Sequence, residues 1–274
     1  MDRLLHNAAQ QGALVLTVND RLSRLLLKQY DHCQEQIGLE AWRRPDILSL
    51  SAWMAKCQRE INAMPVFLNK PQLQRTWEEI VEGDIKKSGN ELLQVQQAAR
   101  RAMQAHQLLI SHSADFDMNL CAEDHRVFLR WRKLWQERAI ERGWHDSVEL
   151  PWLIAGAVKT GAFKPARKIV LAGFDEVTPD LQNLFKEIEL SGALLEHWQP
   201  QPGFDVSQVR VRANSPAEEV RLCARWVRGL LTENPKARIG VVVPQMEAYR
   251  SLLDHLFSAE LTPNALIAGD ENQS

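Results

Sequence analysis

The sequence predicts an α/β fold built on parallel strands, and three stretches carry the prediction. Ile169-Val-Leu-Ala-Gly-Phe-Asp-Glu176 is an apolar run that ends in two adjacent carboxylates and is followed at once by a helix-start signal, Thr178-Pro179-Asp180. Ala13-Leu-Val-Leu-Thr-Val18 is a second β-rich run, closed by Asn19. Ile239-Gly-Val-Val-Val243 is a third, followed by a helical pattern from about Gln245 to Phe257. Short apolar runs bounded by turn residues and alternating with helices read as strands covered on both faces. Ligands of open α/β sheets bind outside the carboxyl ends of such strands. Asp175 and Glu176 therefore stand where a site is expected, as a magnesium-holding carboxylate and a neighbour able to polarise water. The alternative reading is a solvated turn, with Thr178 as cap, Pro179 at the first helical position and Asp180 facing the helix dipole.

Composition bounds the problem without deciding it. With 274 residues, 45% hydrophobic and 25% charged, the chain is long enough for one large or two modest domains. A formal net charge of -2 gives no global attraction to nucleic acid, so any such surface must be a local basic patch. Cys33, Cys57, Cys121 and Cys223 are far apart in sequence and show no zinc-ligand spacing. Reduced thiols, no signal peptide and no apolar run near membrane-span length predict a cytoplasmic protein without membrane partners.

In chain order, Asn19 caps a helix with an apolar face of Leu22, Leu25, Leu26 and Tyr30. Arg21, Arg24 and Lys28 share one face near its start and could grip phosphate, or could be a solvated basic stripe. From about Leu48 to Gly161 the pattern is helical almost throughout. It holds one stripe of Leu92, Val95, Ala99, Met103 and His106, and another of Phe128, Trp131, Leu134 and Trp135 with Arg138. Tryptophans among arginines can stack on bases, but spacing that follows the apolar stripe favours helix packing. Exposure of Trp53, Trp77, Trp131 and Trp135 as one patch would instead mark a partner surface. His106, His125 and His145 read as surface or satisfied core histidines, and Ser23, Ser49 and Ser51 show no nucleophile motif.

After Phe163 the α/β pattern returns, with a strand over 169–174, a helix over 179–191 and the run Ala193-Leu-Leu-Glu-His-Trp198. Pro200-Gln-Pro-Gly203 breaks the chain. A β-like Val209-Arg-Val211 then leads to a helix from Ser215-Pro216 through Leu231, opened by the capping-box pattern Ser215-Pro-Ala-Glu218. The stretch 265–274 contains no closing element, and the chain reads as stopping partway through a second α/β unit.

Taken together, these segments resemble the front part of a superfamily 1 helicase of the UvrD/RecB type, closest to AddB-like DNA repair proteins of the PD-(D/E)XK nuclease family. Leu14-Val-Leu-Thr-Val-Asn-Asp-Arg-Leu22 is similar to the motif Ia strand and helix, which touches single-stranded DNA in that family; the resemblance assigns DNA contact to Thr17, Asn19, Arg21 and Arg24. Ile169 to Glu176 resembles the Walker B segment. Ala213 to Val220, Ala224 to Leu231, Arg238 to Pro244 and Tyr249 to Leu253 resemble the opening of the second motor domain. The implied architecture is an α/β, P-loop-NTPase-like (RecA-like) parallel-sheet domain over 1–200, a helical insertion over 45–160, and the start of a second α/β domain over 205–274.

The departures from the family are specific. No Gly-x-x-x-x-Gly-Lys-[Ser/Thr] occurs, so the phosphate loop is missing. The sensor position after the Walker B helix reads Leu-Leu-Glu-His-Trp-Gln-Pro200, and Gly269-Asp-Glu-Asn-Gln-Ser274 imitates a sensor in the wrong place. The later motor motifs and the nuclease domain would follow Ser274. The expectation is a non-catalytic scaffold for DNA repair or recombination, without a cofactor. Its partners would be single-stranded DNA or a duplex end, and a helicase-nuclease subunit. A protein-interaction module without DNA contact is the alternative. A residual Mg-ATP enzyme, with Asp175 as metal ligand and Glu176 beside it, is the second alternative.

Overall fold

The computed structural model describes residues 3–62, 64–88, 94–114, 123–199 and 209–262. Cys121, Leu92, Pro200 to Gly203 and the stretch 265–274 lie outside these residues. The chain divides into two compact units, Met1–Gln201 and Pro202–Ser274.

The first unit is an α/β unit on a four-stranded, wholly parallel sheet of order β2-β1-β5-β6. After α1 (Arg3–Gln10) come β1 (Leu14–Thr17), α2 (Asp20–Gln36), β2 (Ile47–Ser49) and α3 (Leu50–Glu60). The short β3 (Val66–Phe67), the helices α4 (Lys70–Ser88), α5 (Val95–Ser111) and α6 (Glu123–Arg142), and β4 (Trp144–His145) follow. The unit closes with α7 (Leu150–Lys159), β5 (Lys168–Ala172), α8 (Pro179–Leu190) and β6 (Leu194–Trp198).

Alternation along the strands separates two cores, because successive side chains leave a strand on opposite faces. Leu14, Leu16, Ile169 and Leu171 face α3, α7 and α8, through Trp53, Cys57, Ile154, Val158, Leu184 and Ile188. Val15, Ile47, Val170 and Ala172 face α1 and α2, through Leu5, Ala8, Leu26 and Tyr30. The result is a three-layer arrangement in which the central strands β1 and β5 are covered on both sides. On α2, Leu26 and Tyr30 are buried as the periodicity predicts, whereas Leu25 is 50% exposed and the small polar Ser23 takes the inward position.

The 45–160 stretch is more mixed than its helical pattern implies. Ile47–Ser49 joins the main sheet as β2, in register with Val15–Thr17. A three-residue strand is too short to leave a period-2 signature. The helices at either end, α3 and α7, cover the sheet. A third core, separate from the sheet, is built by α4, α5 and α6 around Leu73, Trp77, Ile80, Ala99, Met103, Phe128, Trp131 and Trp135. The four tryptophans in question, Trp53, Trp77, Trp131 and Trp135, are all buried. They pack helices and present no exposed aromatic patch.

In the second unit, α9 (Pro216–Glu233) packs on α10 (Met246–Leu261). Ser215 caps α9 by accepting from the Glu218 amide at 3.2 Å. Val209–Val211 and Ile239–Val243, expected as strands, are not in a sheet among the described residues, and Val242 is 91% exposed. A strand is defined by its partner's hydrogen bonds, so β-branched composition alone does not make one.

Candidate nucleic-acid interface

The topology places one position above others. β1 connects through α2 to β2 on one side, while β5 connects through α8 to β6 on the other, so the order reverses between β1 and β5. At such a switch point the two connections leave in opposite directions and open a crevice at the carboxyl ends of the adjacent strands. Here those ends carry Thr17-Val18-Asn19 and Gly173-Phe174-Asp175-Glu176.

The β1 turn is tightly specified. Thr17 is fully buried, and its hydroxyl donates to the Asn19 carbonyl at 2.9 Å. Its hydroxyl is thus spent on the backbone and shapes the turn between β1 and α2. Asn19 caps α2 as expected, its Oδ1 accepting from the Leu22 amide at 2.9 Å. Arg21, Arg24 and Lys28 are exposed on the first turns of α2. Arg24 Nε donates to the Asp20 carbonyl at 3.2 Å, which holds the head of that side chain near the start of the helix. Unpaired amides and exposed guanidiniums at a helix start form an anion-favouring surface.

The β5 turn is held against the first by Gly173, whose role has no sequence motif. Its φ of +77° is in the left-handed region, and a Cβ there would lie 2.8 Å from Leu22 Cδ2 and 3.4 Å from Val18 Cγ1. Both the backbone conformation and the close approach to α2 require glycine. Gly173→Ala should lower stability by about 2 kcal/mol, combining left-handed strain with displacement of Leu22. Chemical denaturation of the variant checks this.

Asp175 and Glu176 are exposed, and neither makes a hydrogen bond or ion pair among the described residues. Thr178 precedes α8, but its hydroxyl donates to the buried Asp180 carboxylate and makes no cap bond to the backbone. Asp180 also accepts from the Leu181 amide at 2.8 Å, so it is spent on the helix start. Among the described residues no group of three or more His, Cys, Asp or Glu side chains is placed to share a metal ion. Two adjacent exposed acids, without a phosphate loop, do not compose a Mg-ATP site by themselves.

Three residues set aside by sequence reasoning have defined places. Ser49 is buried and caps α3, accepting from the Ala52 amide at 3.2 Å, so a serine without a nucleophile motif is explained as a cap. His145 has a partner after all, with its Nδ1 2.5 Å from Glu149 Oε2 four residues on. His106 is buried, and neither ring nitrogen has a hydrogen-bond partner among the described residues. Cys33, Cys57 and Cys223 are free thiols. Burial pushes the Cys57 thiol up to about 12, which makes it unreactive. No helix among the described residues is long and apolar enough to cross a membrane. No protein-family model and no curated protein sequence matches the chain.

Proposed function

We propose that the chain is a non-catalytic, helicase-like scaffold of DNA repair or recombination that holds single-stranded DNA at the β1/β5 switch point. The finer fold reading goes with it: a RecA-like sheet that keeps the strand-turn-helix of motif Ia and the Walker B carboxylates without a phosphate loop. The observation that carries the reading is the exposed Arg21, Arg24 and Lys28 on the first turns of α2, directly after the carboxyl end of a central parallel strand. Phosphates are held by such a surface through charge and helix-start amides, with no chemistry required of Asp175 and Glu176. A helicase-nuclease subunit remains the natural partner under the same reading.

The interaction-module alternative rested on an exposed tryptophan patch, and Trp53, Trp77, Trp131 and Trp135 are buried. The Mg-ATP alternative has only the two carboxylates in its favour. It predicts thermal stabilisation by Mg-ATP that Asp175→Ala abolishes.

Fluorescence anisotropy of labelled single-stranded DNA across a salt series tests the scaffold reading. Binding should weaken as salt rises, and Arg21→Ala/Arg24→Ala should flatten the log-log slope by roughly 1.4, about 0.7 for each lost phosphate contact. Salt-independent binding, or an unchanged slope in the double variant, overturns the assignment to α2.

A further inference from the structure

The exposed face of α2 changes character across its width. At about 100° per residue, Arg24, Lys28, Arg21, Leu25 and Leu22 follow one another in that order around the helix, so a cationic band borders an apolar one. Leu25 is 50% exposed, and Val18, which leads from β1 into the helix, is 46% exposed. The Val18 amide donates to the Ala172 carbonyl at 3.2 Å, which ties this residue to the end of β5. Leu22 and Val18 both stand against Gly173, with Leu22 Cδ2 2.8 Å and Val18 Cγ1 3.4 Å from the position of a Cβ there. The apolar band therefore runs up to the β5 turn, which carries the exposed Asp175 and Glu176 just past Gly173.

The crevice presents three bands in order: cationic side chains, then aliphatic ones, then carboxylates. A single exposed leucine needs no explanation, but here the apolar side chains lie between opposite charges. A single strand of DNA has matching bands across its width. Its phosphates are anionic, the faces of its unpaired bases are apolar, and the outer edges of the bases carry N–H donors. The reverse placement would set phosphates against carboxylates. Duplex DNA cannot make the same fit, because its base faces are stacked inside and only phosphates, sugars and groove edges are left outside.

We infer that the strand lies with its phosphates along Arg21, Arg24 and Lys28 and its bases turned over Leu25, Leu22 and Val18 toward Asp175 and Glu176. This orientation rests on the DNA reading above and adds to it a requirement for unpaired bases. Phosphate contacts supply the salt-dependent affinity. Leu25 and Val18 set the preference for single strands, and the two carboxylates accept from base amino groups while turning phosphates away.

Fluorescence anisotropy of the full chain with three labelled ligands of equal length tests the orientation: a mixed-sequence single strand, the same backbone with its internal bases removed, and the duplex. The single strand should bind roughly tenfold tighter than the abasic backbone and tighter than the duplex. Leu25→Ser should weaken single-strand binding about fivefold, what a half-exposed leucine still has to gain by burial, with the salt slope and the abasic affinity unchanged. Leu25→Phe should keep or raise affinity, because an aromatic ring stacks on a base. Asp175→Asn/Glu176→Gln should strengthen abasic binding more than base-bearing binding, since without bases nothing holds the phosphates away from the acids. Equal affinity for the single strand and either other ligand, or a Leu25→Ser variant that binds as the parent does, overturns the orientation while leaving phosphate binding on α2 intact. No binding of any strand, or an unchanged salt slope in Arg21→Ala/Arg24→Ala, overturns the DNA reading itself and the orientation with it.

Discussion

Trp77→Ala should remove about 3–5 kcal/mol of stability, the largest loss expected from any single replacement here. Trp77 is fully buried at the centre of the α4–α6 core, stacked on Trp135 at 5.7 Å with an interplanar angle of 19°, and in contact with His106. Truncation leaves a cavity that three helices cannot close without moving. Trp77→Phe should cost much less, since it keeps most of the ring and removes an indole N–H that has no partner among the described residues. Thermal and denaturant unfolding of both variants measure the difference. Equal losses would show that the indole N–H is satisfied and that volume does not govern the site.

Acidification should destabilise the protein through His106. In the unfolded chain this histidine titrates near 6.5, and in the folded state burial lowers it to about 4. Between those values the unfolded chain binds a proton that the folded state refuses, so stability falls as pH drops from roughly 6.5 to 4. Above 6.5 both states are neutral and the group contributes no slope. The full effect is about 3 kcal/mol, from 1.36 kcal/mol per pKa unit. His106→Phe should erase this part of the pH dependence and raise stability at pH 5 relative to pH 8, read by denaturant midpoints at both values. A slope unchanged in the variant would assign acid lability to other groups.

Legibility in the sequence followed the strength of the local signal. β1, β5, α2 and α8 were readable because long apolar runs and recognisable start residues coincide there, and Asn19 caps as its position predicts. β2 was not, since three residues carry no period. The β-branched run Ile239–Val243 misled in the opposite direction, because strand formation depends on a partner strand that composition cannot supply. Helical spacing identified the tryptophans as packing residues, but no pattern could show that His106 has no hydrogen-bond partner among the described residues. That property belongs to three helices at once.

At the site, the acids and the basic face were visible and the geometry was not. Thr17 looks like a contact residue in a one-dimensional motif, yet the pleat turns its hydroxyl into the Asn19 turn. Gly173 carries no motif, and its necessity appears only when Leu22 is seen 2.8 Å from the position of a Cβ. The reversal of strand order between β1 and β5 is likewise a tertiary fact, and it is what makes the two turns neighbours.

Hydrogen exchange with and without a saturating single-stranded oligonucleotide tests the central claim most directly, because it reports where the strand lies. Protection is predicted at the β1–α2 turn and the first turns of α2, and at the neighbouring Gly173–Thr178 turn, with the α4–α6 core unchanged in its central amides. Protection confined to α4–α6 and absent from residues 17–28 would contradict it.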